Sequence, residues 1–215
     1  MTPMIGQVDL LLSAVRAGKL APEQIAQKLE RIRSIMDQYV KRASTLLDVS
    51  RITTGKFVLE PAPCDFAVLA REVAGSYADA ARYAKCAIDV EAPDSLQGVW
   101  DRLAAEQIVD NLVSNAIKYG AGKPVVVCAE ARGDGVRLRV RDHGPGIAAG
   151  DRARIFGRFE QAAGPDRRRG GFGVGLWVVG QLVEAMGGTV IVDDAQGGGS
   201  VFTVDLPRYT AADRP

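Results

Sequence analysis

The sequence predicts an α+β protein, an N-terminal helical hairpin followed by an α/β sandwich. Three observations carry this. The first 53 residues repeat apolar side chains at three- and four-residue steps. A proline-bounded break, Pro61-Ala62-Pro63, ends that pattern. Beyond it, β-branched runs alternate with helical segments, and glycines separate neighbouring runs. The expected domains are 1–57 for the hairpin and 62–209 for the sandwich.

The first helix is expected over 3–17, with Ile5, Val8, Leu11, Leu12 and Val15 on one stripe and Gly18 as a C-terminal stop. The second runs from 22 to about 53, with Pro22 in its first turn. Its stripe is Ile25, Leu29, Ile32, Met36, Tyr39, Ala43, Leu46 and Leu47, separated by Lys, Arg, Glu and Gln. A short partner helix cannot cover that length. A homodimer through the hairpin, giving a four-helix bundle, is the expected remedy; the alternative is packing on the chain's own second domain. Thr53-Thr54-Gly55 ends the long helix.

In the second domain, helices are expected at 66–84, 101–118 and 174–186. Strands are expected at 56–60, 86–92, 97–100, 124–131, 135–142, 188–194 and 200–206. Gly133-Asp134-Gly135 marks one hairpin turn and Gly197-Gly198-Gly199 another. The glycine-rich stretch 160–173, with Arg167-Arg168-Arg169, reads as a loop.

Bulk composition excludes several functions. The chain has 215 residues, 47% hydrophobic and 25% charged, which suits a soluble globular protein. With 27 basic and 26 acidic side chains the net charge is +1, so nothing electrostatic favours nucleic acid or an anionic membrane. No apolar run reaches the length of a membrane span, so no membrane contact by this chain is expected. Cys64, Cys86 and Cys128 are odd in number and widely spaced, which fits a reducing compartment rather than a disulfide framework. The single histidine, His143, has no nearby cysteine with which to bind a metal and reads as a turn residue.

Four short stretches carry the chemistry. In the helix 101–118, Asn111 and Asn115 are four residues apart and Lys118 follows three later, so all three share a face. Asparagine is a poor interior helix residue. Two on one stripe are either surface residues or hard amide ligands suited to Mg²⁺. Lys118 adds positive charge for a phosphate, and Tyr119 can pack near a sugar or base. Asp142 stands where a strand meets the turn Gly144-Pro145-Gly146-Ile147. Such a carboxylate can accept from the exocyclic amine of adenine, and guanine would present it with an oxygen; the plain alternative is an ordinary turn. Phe156 and Phe159 flank Arg158, which either reaches a terminal phosphate or is simply solvated. Gly171-Phe172-Gly173-Val174-Gly175-Leu176 opens the helix 174–186, where backbone N–H groups and the helix N-terminus favour anions.

In this order, the four stretches resemble the N, G1, F and G2 boxes of sensor histidine kinases. These belong to the GHKL ATPase superfamily, with gyrase B, Hsp90 and MutL. Leu47-Asp48-Val49-Ser50-Arg51-Ile52 is similar to the end of the kinase dimerisation hairpin, and 187–207 to the family's last strand pair. The resemblance implies an α/β sandwich of the GHKL type that binds ATP and Mg²⁺. It implies Asn115 as the main Mg²⁺ ligand with Asn111 beside it, and Asp142 on adenine. It places Lys118, Tyr119, Gly144, Gly146, Ile147, Phe159, Gly171, Gly173, Val174, Gly175 and Leu176 around the nucleotide. It gives catalytic parts to Asp110, Asn111, Lys118 and Arg158. It also implies a response regulator receiver domain as partner and a cytoplasmic location, and leaves open an inner-membrane anchor in the parent protein. The pattern departs at the start. Thr2-Pro3 is similar to the tail of a His-Glu-x-x-Thr-Pro motif, so the phosphate-accepting histidine is expected upstream of Met1. The alternative is a non-catalytic ATP-binding scaffold or pseudokinase.

Overall fold

The computed structural model describes residues 58–120, 122–160 and 173–208, and before them residues 6, 11–17, 21, 23–29, 32 and 36. The chain divides into two compact units, Met1–Thr53 and Thr54–Pro215. In the first unit, residues 11–16 and 23–29 are helical, as are residues 32 and 36. Leu11 is buried, whereas Leu12, Val15, Leu29 and Met36 are exposed. The rest of the expected helices 3–17 and 22–53 lies outside the described residues.

The described residues of the second unit form seven strands and four α-helices. In chain order these are β1 (Ala62–Asp65), α1 (Phe66–Ser76), α2 (Ala78–Tyr83), β2 (Ile88–Glu91), β3 (Gln97–Trp100) and α3 (Arg102–Tyr119). Then follow β4 (Val125–Arg132), β5 (Gly135–Arg141), α4 (Gly175–Ala185), β6 (Thr189–Asp194) and β7 (Ser200–Leu206). Single 3₁₀ turns at Ala149–Asp151 and Arg154–Phe156 separate β5 from α4. The main sheet runs β2-β4-β5-β7-β6, with β2 parallel to β4 and the other pairs antiparallel.

Period-two alternation decides which sheet face is covered. Val127 lies opposite Val140, and Val140 opposite Phe202; Ala129, Leu138 and Val204 form the next row. All six are buried. The buried stripes of α1, α3 and α4 cover this side: Phe66 and Leu69, then Ile108, Leu112 and Ala116, then Val178, Leu182 and Val183. The opposite face keeps charges. There Arg137 donates to both carboxylate oxygens of its cross-strand neighbour Asp205, each bond 2.6 Å.

Two differences from expectation have local causes. Residues 58–60 are not strand; the strand begins later, at Ala62–Asp65, and pairs antiparallel with β3. Pro61 and Pro63 are tolerated there because this two-stranded sheet is all edge. The single helix expected over 66–84 breaks at Tyr77, whose backbone (φ −91, ψ 3) leaves the helix and turns its N–H to Ala74 and Gly75 carbonyls. Gly75 and Ser76, poor helix formers, precede the break.

Side-chain caps hold the first and third helices. Asp65 Oδ1 accepts from Ala67 N (3.0 Å) and Val68 N (3.2 Å), and also from Leu96 N (3.0 Å) across the β2–β3 loop. The Leu96 N–H bond is the largest of several that hold the Asp65 carboxyl down to about 2 from its usual 3.8. A depressed acid stabilises the fold fully above its unfolded value, and that contribution disappears as pH falls through about 2. We therefore expect Asp65→Ala to lose about 1 kcal/mol or more at neutral pH, the usual worth of a cap. The gap to the unmutated chain should narrow as the medium is acidified from 3.8 towards about 2, and urea unfolding at several pH values measures it.

Candidate functional site

Asp101 starts α3 by accepting from Ala104 N (2.9 Å), and the same carboxylate accepts from Glu60 N (2.7 Å). The helix that follows carries Asn111, Asn115 and Tyr119 one turn apart on a half-buried strip. Asn111 Nδ2 donates to Gln107 O (2.9 Å), which turns its carbonyl oxygen the other way. That oxygen faces the start of α4: a Cβ on Gly175 would stand 2.8 Å from Asn111 Oδ1. A side chain at Gly175 would push the Asn111 amide out of this position. Asn115 makes no side-chain hydrogen bond among the described residues.

The far end of the strip meets the turn after β5. Tyr119 O abuts Gly144, where a Cβ would lie 2.4 Å away, and Asp142 Cβ is near Gly120. Asp142 is buried. Its Oδ1 accepts from Gly144 N (2.7 Å) and Ser200 N (3.3 Å), while its own N–H donates to Ser200 O (2.9 Å). Oδ2 takes no hydrogen bond from the described residues. Burial pushes this carboxyl above the usual range, against the opposing pull of the Gly144 and Ser200 N–H groups and of His143. The β6–β7 turn closes over the same residue. Gly199 has φ +100, and a Cβ there would strike Asp142 O at 2.1 Å.

The remaining predicted residues fall around this frame. Gly146 (φ 77) and Ile147 continue the turn, and Ile147 O accepts from Arg152 Nε (3.3 Å). Val174 is buried and Leu176 half-buried at the start of α4, a helix with no side-chain cap. Gly173 (φ 64) packs against the Phe159–Glu160 backbone, which brings the phenylalanine segment beside α4. Gly171 lies outside the described residues.

Three predicted residues have partners the sequence did not suggest. Lys118 Nζ sits 4.6 Å from the centre of the Tyr119 ring. Arg158 lies over the Phe159 and Trp177 rings, at 4.9 and 5.7 Å. The Asp110 carboxylate accepts from the Tyr77 hydroxyl, at the break between α1 and α2. His143 Nδ1 donates to Pro124 O (2.9 Å). Phe156 packs edge-on against Phe202, and Phe159 is exposed.

Sequence reasoning missed Gly199, Ser200 and Arg152. The glycine triplet read only as a hairpin turn. Its place beside Asp142 follows from the β5–β7 pairing, which sets Arg141 opposite Val201 and so Asp142 next to Ser200. Local spacing carries no trace of a register between segments 58 residues apart.

Residues 100–210 match the family described as histidine kinase-, DNA gyrase B-, and HSP90-like ATPase. The chain belongs to that family. Within it, the second unit is an ATP-binding catalytic domain of the histidine kinase type, as the following relatives indicate. The sensor histidine kinase RcsC of Escherichia coli is 31% identical over 213 residues, which is 97% of this chain but 22% of RcsC. A full-length ShkA structure in complex with AMPPNP is 31% identical with a TM-score of 0.72, covering 98% of this chain and 44% of that one. The Acinetobacter baumannii histidine kinase AdeS, 22% identical with a TM-score of 0.66, shares the fold over 96% of each chain. This chain thus spans about a fifth of the length of RcsC.

Proposed function

We propose that the chain is the catalytic core of a two-component sensor histidine kinase. It binds Mg-ATP so that the γ-phosphoryl group passes to a histidine outside this sequence, then to an aspartate of a response regulator receiver domain. The observation that carries the reading is the buried Asp142, with one carboxylate oxygen consumed by two backbone N–H groups and the other left to accept. An exocyclic amine of adenine fits that acceptor; the O6 of guanine would meet it lone pair to lone pair.

The donor set beside it fits Mg²⁺. Asn111 and Asn115 offer neutral amide oxygens on one strip, and Mg²⁺ favours few protein ligands together with phosphate oxygens and waters. No cluster of three His, Cys, Asp or Glu is found among the described residues, so a site built on protein carboxylates finds no support there. When bound, Mg²⁺ neutralises phosphate charge. The protein's own part is positioning. Asn111 and Asn115 orient the triphosphate, the uncapped N–H groups of α4 donate to its oxygens, and Lys118 adds a positive charge. The Tyr77–Asp110 hydrogen bond holds that acid in place beside the first asparagine.

The exposed Leu29 and Met36 of the first unit support dimerisation through the hairpin. No helix among the described residues is long and apolar enough to cross a membrane.

Titration calorimetry with Mg-ATP, metal-free ATP and Mg-GTP tests the binding reading. We expect tight Mg-ATP binding, weaker ATP binding in chelator, and much weaker GTP binding; equal affinity for ATP and GTP would remove the role of Asp142. Labelled ATP and a separately supplied histidine-bearing hairpin then test transfer. ATP binding without transfer in that assay would favour the scaffold.

A further inference from the structure

We propose that Arg152 is a positioning residue for the adenine-side turn, fastening the end of that turn to the β6–β7 hairpin. The inference rests on the nucleotide reading above. The turn after β5 has two ends. One, Asp142, is held by Ser200 N and Gly199 of the β6–β7 connection. The other, Ile147, is held by Arg152: Nε donates to Ile147 O (3.3 Å), Nη2 lies 2.6 Å from Asp194 Oδ2, and Nη1 lies 3.8 Å from Asp193 Oδ1. Asp193 and Asp194 are the last residues of β6. One hairpin end therefore grips both ends of the segment that carries Gly144 and Gly146.

The chemistry requires an arginine. Its planar fork points Nε and the two Nη groups in different directions, so one side chain bridges a backbone carbonyl and two carboxylates. Lysine can satisfy a carboxylate as a point charge but cannot span both partners. The Arg152 side chain is largely covered, whereas Asp194 is 73% exposed. An exposed ion pair contributes little to global stability. The bridge therefore acts on the shape of one loop rather than on the fold, and shaping a loop before ligand arrives removes part of the ordering entropy that binding must overcome.

Three measurements on the whole chain test this. In Arg152→Gln we expect about fivefold weaker binding of ADP and ATP, by the same factor for both, the size of a lost loop constraint. The ratio of affinities with and without Mg²⁺ stays as in the unmutated chain, because the amide strip is untouched. Thermal midpoint changes little, and amide hydrogen exchange without nucleotide accelerates at 143–148 but not in α3 or β7. Arg152→Lys recovers less than half of the lost affinity. Asp194→Asn weakens binding in the same direction, and the double variant is no worse than Arg152→Gln alone. Unchanged exchange at 143–148 in Arg152→Gln would overturn the proposal, as would full recovery by lysine or an affinity loss matched by a general loss of stability. An unmutated chain that binds no ADP would instead strike the nucleotide reading, and the exchange experiment would still judge Arg152.

Discussion

Replacing Asn115 with alanine is expected to remove Mg²⁺-dependent ATP binding while leaving the protein as stable as before or slightly more so. Asn115 lies mid-helix in α3, half-buried, with no side-chain hydrogen bond among the described residues. Alanine is the better helix former, so folding should gain up to about 0.5 kcal/mol. Losing only an outer partner of a metal site costs on the order of 10- to 100-fold in affinity. Loss of a direct ligand should therefore weaken Mg-ATP by about 100-fold or more, while metal-free ATP falls far less. Calorimetry with and without Mg²⁺, beside a thermal melt, separates these effects. Unchanged Mg-ATP affinity would remove Asn115 from the metal.

The second large effect concerns Asp142→Asn. The asparagine oxygen can still accept from Gly144 N and Ser200 N, so the turn keeps its shape. Its amide nitrogen then replaces the free carboxylate oxygen, and a donor faces the adenine amine. A hydrogen bond to a charged group is worth about 1.5–3 kcal/mol. ATP binding should drop roughly 10- to 100-fold, since each 1.4 kcal/mol is about tenfold. Selectivity over GTP should shrink with it. Stability should move the other way. Burial raises the Asp142 pKa in the fold, so the folded state holds its proton longer than the unfolded one. Stability is then lost as pH climbs from 3.8 through that raised value, and the ionised group weighs on the fold at neutral pH. The neutral asparagine relieves that penalty. ATP affinity of the unmutated chain should begin to fall, on acidification, at a higher pH than an ordinary aspartate would dictate. An Asp142→Asn chain that is less stable at neutral pH and binds ATP normally would contradict both halves of this account.

A stabilising substitution that abolishes binding marks a residue kept for chemistry. Asn115 and Asp142 are both expected to show that signature, and only part of its basis was readable beforehand. Two asparagines on one helical stripe break the propensity rule, and that anomaly is visible in a line of letters. The raised pKa of Asp142 is not, because it comes from burial under the β6–β7 turn. Arg158 shows the reverse case. Between two phenylalanines it read as a phosphate contact or a solvated side chain, and its place over the Phe159 and Trp177 rings was not foreseen. Asp110 likewise turned out to accept from Tyr77, a partner 33 residues earlier. That meeting depends on a helix break which a smooth periodic pattern conceals.

Periodicity, glycine and proline placement, and the order of four short stretches were enough to define the α+β class, the second unit's layers and the family. Those properties are local or additive. A stripe on a helix and an alternation on a strand each state which side must be buried, whatever lies opposite. Strand register, the Ser200–Asp142 contact, the close approach of Gly175 to Asn111, and the Arg152 bridge were settled only when the layers packed. Each joins segments tens of residues apart, and no local preference distinguishes one distant partner from another until the core has brought them together.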